Sequence, residues 1–162
     1  MKTKKLVTLA VTVAVAMILS FIESRIPPIV PIPGVKIGLA NIAVIFALYK
    51  MGWREAIVIS LVRVALVALL FGSVVSLAYS FAGAVISLAL MILLKKLGFF
   101  TEIAISVVGG IMHNIGQITV AFLLLETDVV FYYLPYLLIS GVIAGIGVGA
   151  AAALLIKRVK IK

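Results

Sequence analysis

The sequence predicts an all-α, polytopic membrane protein, a six-transmembrane-helix bundle. Three observations carry that prediction. Hydrophobic residues make up 65% of the chain and charged residues only 12%, whereas a water-soluble domain of this size has about a quarter of its residues charged. The mean hydropathy of +1.40 leaves too little polar surface to cover a globule in water, so lipid must cover much of it. The charges also gather in short clusters between apolar runs, the pattern that encodes membrane topology.

The elements follow in order as one integral domain over residues 1–162. The first span covers about residues 6–22. Its basic head and apolar run imitate a secretory signal, with Ala14 and Ala16 as the small pair, but further spans follow and a retained first helix is the more economical assignment. Pro27, Pro28, Pro31 and Pro33 then exclude helix, because proline removes backbone donors and turns its predecessor away from the α region. A second span at about 35–49 is short for a crossing of roughly 20 residues. Lys50–Arg54 forms a tight turn with an interfacial Trp53. Spans at about 55–71 and 74–94 meet at Gly72-Ser73, and Lys95-Lys96 closes the fourth. The fifth, about 102–125, ends at Glu126-Thr127-Asp128. The sixth, about 132–156, carries Phe131, Tyr132, Tyr133 and Tyr136 as an aromatic belt and precedes a basic tail.

Counting lysine and arginine sets the orientation. One side receives Lys2, Lys4, Lys5, Lys50, Arg54, Lys95, Lys96, Lys157, Arg158, Lys160 and Lys162; the other receives Arg25 and Lys36. The asymmetry places both termini in the cytoplasm of a plasma-membrane protein and calls for an even number of spans. The net charge of +9 is therefore topological, and no nucleic-acid partner is expected.

Few polar residues fall inside the spans, and each is informative because a charge at the bilayer centre costs about 2.5–3.5 kcal/mol on insertion scales. Arg63 lies mid-span with no acidic residue deep in any span to meet it. It is either a structural arginine on helix carbonyls or an anion site, since guanidinium offers paired donors to carboxylate or phosphate. Ser106, Gly110, His113, Gln117 and Ala121 share one face of the fifth span, with Asn114 beside them. Ser76, Ser80, Gly83 and Ser87, with Tyr79 alongside, form a matching stripe on the fourth. Gly141, Gly145 and Gly149 on the sixth permit close helix approach, and Ala10 and Ala14 make a small-residue face on the first.

The exclusions are equally definite. No cysteine means no disulfide and no thiolate ligand. One histidine without companions makes a metal site unfavourable. A phosphate-binding Gly-x-x-x-x-Gly-Lys-Ser/Thr loop is missing, and Asp128 is the only aspartate, so no aspartate cluster can hold magnesium and diphosphate. No triad is completed either. The chain is not expected to be an enzyme or to carry a cofactor.

Two segments go beyond generic membrane character: Pro33-Gly34-Val35-Lys36-Ile37-Gly38-Leu39-Ala40-Asn41 and His113-Asn114-Ile115-Gly116-Gln117. They resemble signatures of the Gx transporter family, also named heptaprenyl diphosphate synthase component I, and the similarity covers nearly the whole chain. That family is grouped with the substrate-binding S components of energy-coupling-factor transporters. The resemblance implies six helices, a small molecule bound near the outer side under the loop joining the first two, and a transmembrane T subunit with two ATPases. It further implies that Ala10 and Ala14 face the T subunit and that the stretch from Pro27 to Gly34 is the lid.

The expectation is a substrate-binding membrane protein for a small molecule, an anion among the candidates. Its pocket lies between spans 2, 4 and 5, with Lys36 and Asn41 above, Arg63 contributing, and Tyr79, Ser80, His113, Asn114 and Gln117 at the side. A non-catalytic accessory subunit of isoprenoid or quinone synthesis is the alternative.

Overall fold

The computed structural model describes residues 2–27 and 35–159. Among them are six α-helices and a 3-10 turn, with no strand: α1 (Lys2–Arg25), α2 (Asn41–Lys50), α3 (Trp53–Phe71), α4 (Val74–Leu97), α5 (Glu102–Leu125), the 3-10 turn Asp128–Tyr133, and α6 (Leu134–Arg158). The proposed lid, apart from Pro27, falls outside the described residues. Four stretches are long and apolar enough to cross a membrane: Thr3–Arg25, Val74–Leu97, Glu102–Leu125 and Asp128–Arg158. The chain is a helical membrane protein.

The other two helices depart from the simplest six-span picture for different reasons. α3 has the length, but Arg54, Glu55 and Arg63 give it three charges. α2 has ten residues, about 15 Å of rise, which is half of a hydrocarbon slab roughly 30 Å thick. The segment from Val35 expected to start this helix is irregular as far as Ala40. Gly38 sits at φ +78°, in the left-handed region, and stops helix from extending toward the proline stretch. The first amides of α2 then turn tightly back: Asn41 donates to the Gly38 carbonyl at 2.9 Å, Ile42 to Leu39 at 3.1 Å and Ala43 to Ala40 at 3.2 Å. These short-range bonds satisfy helix-start donors that water would otherwise have to meet.

A helix that stops halfway must be wrapped by its neighbours. Ala43, Val44, Ile45, Ala47 and Leu48 of α2 are all buried, and with Ile59 of α3, Leu88 and Met91 of α4, Ile105 of α5 and Ala152 of α6 they form the apolar core. α2 packs on α3 and α6, α3 on α4, α4 on α5, and α5 on α6, which closes a ring. α1 lies outside it against α2 and α3. Lys5 pairs with Glu55, and Lys95 donates to the Leu48 carbonyl near the end of α2, where a cation complements the helix dipole.

The glycine faces of α4, α5 and α6 set how tightly the ring closes. A Cβ on Gly145 would lie 2.6 Å from the Val107 Cα, and one on Gly110 would lie 2.6 Å from the Gly141 carbonyl oxygen. Gly147 points elsewhere and has open space around it. The expected packing role of Gly141, Gly145 and Gly149 is therefore met at α5.

This geometry yields a paired test. Gly145→Ala forces α5 and α6 apart and should cost about 1–3 kcal/mol, the range for overpacking. Gly147→Ala should stay within about 0.5 kcal/mol of the parent. Thermal unfolding of the two variants in detergent checks both.

Candidate functional site

Because α2 fills the bundle over only half its length, the space beyond its first turn is left to other elements. A cavity of about 450 Å³ opens there, within the size range of small-molecule pockets. One wall is the first part of α4, with Ser73, Ser76, Tyr79 and Ser80; another is the last half of α5, with Gln117, Ile118, Ala121 and Leu125. Val130 and Tyr133 of the 3-10 turn and Leu137 of α6 close the third side, and Lys36 reaches in from the segment before α2. The cavity thus lies between α4, α5 and α6, and not between α2, α4 and α5 as the sequence suggested. α2 is too short to form a wall.

The structure brings four of the expected site residues to this cavity: Lys36, Tyr79, Ser80 and Gln117. Lys36 is exposed as a residue and lines the cavity. Gln117 is 7% exposed, and its Oε1 is buried with no hydrogen-bond partner. A buried acceptor left unpaired costs about 1–3 kcal/mol, so this amide is suited to a donor supplied from the cavity.

The other four expected residues lie beneath or beside it. Asn114 is buried, and its Nδ2 donates to the Leu137 carbonyl at 2.6 Å, joining α5 to α6. His113 packs on Gly83 of α4, where an added Cβ would sit 2.8 Å from its Nδ1. Asn41 is half-buried at the head of α2, beside Gly38. Arg63 does not line the cavity; its Nε is buried and unpartnered.

These groups nevertheless share a level. Arg63 stands ten residues past Trp53, about 15 Å along α3, and His113 eleven past Glu102, about 16 Å along α5. The first residue of α2 is at a similar height above Lys50. Among the described residues Glu23 makes no ion pair with Arg63; its carboxylate is held by the backbone instead. α1 continues as helix to Arg25, past the predicted end near residue 22, and carries this carboxylate to the middle of the molecule. There Glu23 Oε1 accepts from the Gly38 amide at 2.6 Å.

Sequence reasoning missed several cavity residues. Tyr133 was assigned to the aromatic belt, and Leu137 and Val130 had no signal beyond hydrophobicity. Ser73 was a turn residue; in the structure it also caps α4, its Oγ accepting from the Ser76 amide at 3.1 Å. Among the described residues, no three His, Cys, Asp or Glu side chains are placed to hold a metal ion. Ala10 and Ala14 lie on an exposed face of α1.

Comparison with known proteins returns one family. The model described as heptaprenyl diphosphate synthase component I matches residues 12–155. No curated protein and no solved structure matches the chain.

The bond from Asn114 separates a structural from a ligand-binding role. Asn114→Leu should lower the stability of the ligand-free protein by about 0.5–2 kcal/mol, the range for hydrogen bonds between membrane helices. Thermal unfolding without added ligand measures this.

Proposed function

The chain belongs to the heptaprenyl diphosphate synthase component I family, and from that premise we propose that it is a substrate-binding membrane protein that captures a small molecule for uptake. It works as an S component of an energy-coupling-factor-type transporter or as a solitary relative. The observation that carries this is the cavity above α2, lined by Lys36, Tyr79, Ser80 and Gln117. An apolar pocket with a few convergent polar groups, one of them an unpaired acceptor, is what ligand recognition requires.

In this proposal all six helices belong to the membrane-embedded part, α2 as a half-length segment enclosed by the others. Both termini face the cytoplasm, in the plasma membrane, and the cavity opens outward. The clustering of Lys50, Arg54, Lys95, Lys96, Lys157 and Arg158 at one end supports the orientation. The exposed face of α1 around Ala10 and Ala14, with Leu6, Val7 and Val11 beside them, is the surface offered to a T subunit served by two ATPases.

The family description names a synthase component, which supports a second reading as an accessory subunit of isoprenoid synthesis.

Filling the cavity tests the proposal. Native mass spectrometry of the purified protein should detect a small molecule released on activation, and Ala121→Trp should abolish that mass without lowering the unfolding temperature. A bound mass that persists in Ala121→Trp places the ligand elsewhere.

A further inference from the structure

The charges around the cavity floor narrow the class of ligand. Among the residues that line the cavity, Lys36 is the one charged side chain. The lining therefore carries one positive charge with no carboxylate against it. Residues 28–34, between Pro27 and Val35, contain no charged side chain to offset it. A ligand with a single negative charge matches that one cation. A diphosphate would invert the excess instead of cancelling it.

The remaining lining defines the rest of the molecule. From Leu125 to Gln117 the cavity descends eight residues of α5, about 12 Å, past Ala121, Ile118 and the Tyr79 ring. Leu125 and Tyr133, at the outer end, are exposed. This walls an apolar body. The unpartnered Gln117 Oε1 takes a donor from that body, and Lys36 takes the anion.

We propose that the cavity binds a small amphipathic monocarboxylate, its carboxylate on Lys36, its apolar body along α4 and α5, and an N–H or O–H donor on Gln117 Oε1. This rests on the ligand-binding function argued above and specifies its chemistry.

The test uses the full chain in lipid nanodiscs and isothermal titration with indole-3-acetate, octanoate, indole-3-ethanol, 1-methylindole-3-acetate and geranyl diphosphate. Indole-3-acetate should bind at least tenfold more tightly than indole-3-ethanol, which lacks the charge, and than its 1-methyl derivative, which lacks the donor. Octanoate should bind more weakly than indole-3-acetate, and geranyl diphosphate should not compete. Lys36→Met should remove the preference for the carboxylate while leaving indole-3-ethanol binding in place, which also shows that the variant folds; Lys36→Arg should retain it. Equal or tighter binding of indole-3-ethanol or geranyl diphosphate overturns the monocarboxylate assignment and leaves a binding protein of another specificity. If none of the five binds, the monocarboxylate assignment falls, and the mass released from the parent but not from Ala121→Trp still decides the ligand-binding function separately.

Discussion

Inside a bilayer there is no water to satisfy a backbone amide or carbonyl, so any chain that leaves the helix at membrane depth must be enclosed by protein or line a wet cavity. In the proposed arrangement, the start of α2 is where this chain meets that constraint. Gly38 ends the possibility of helix on its outward side, the first three amides fold back on Gly38, Leu39 and Ala40, and Glu23 takes the Gly38 amide. The neighbouring α3 and α6, backed by α4 and α5, supply the enclosure, and α1 brings the carboxylate. Glycine-lined contacts of α5 with α4 and α6 follow from the same need, since a half-length central helix leaves a core that only closely approaching helices can seal.

The cavity is the complement of that arrangement. Where α2 is present, Ile45, Leu48, Ile59 and Ile105 leave no access to solvent. Where it is absent, the first part of α4, the last half of α5 and the start of α6 stand around open space. Polar groups collect at the boundary because that is the one level where a charged side chain can avoid lipid. Lys36 lines the cavity there, Glu23 takes the Gly38 amide, and His113 packs on Gly83. The same short helix therefore accounts for the packed half, the open half and the charged layer between them.

Much of this was legible in the sequence. Apolar runs bounded by Gly72-Ser73, Lys95-Lys96 and Glu126-Thr127-Asp128 located α3 to α6 closely, and the periodic glycines of α6 named its packing face. Lys36, Tyr79, Ser80 and Gln117 stood out as polar residues least compatible with lipid, and all four line the cavity. What failed was tertiary. The sequence cannot say that the irregular stretch before Asn41 would leave α6 to serve as a cavity wall, because Val130, Tyr133 and Leu137 are unremarkable by type. Nor does helix periodicity reveal that α1 overruns its apolar segment to deliver Glu23 to the Gly38 amide. Asn114 shows the opposite error: a buried amide, flagged for binding, holds α5 to α6 through the Leu137 carbonyl.

The central claim is that the segment before α2 lies at membrane depth yet faces a cavity open to the outside. Thiol accessibility measures this directly, since the chain has no cysteine of its own. In sealed right-side-out vesicles, Lys36→Cys should react with a membrane-impermeant maleimide added outside, while Ala43→Cys, in the enclosed half of α2, should not react from either side. Labelling of position 36 only from the inner face, or of position 43 from the outer face, would contradict the account.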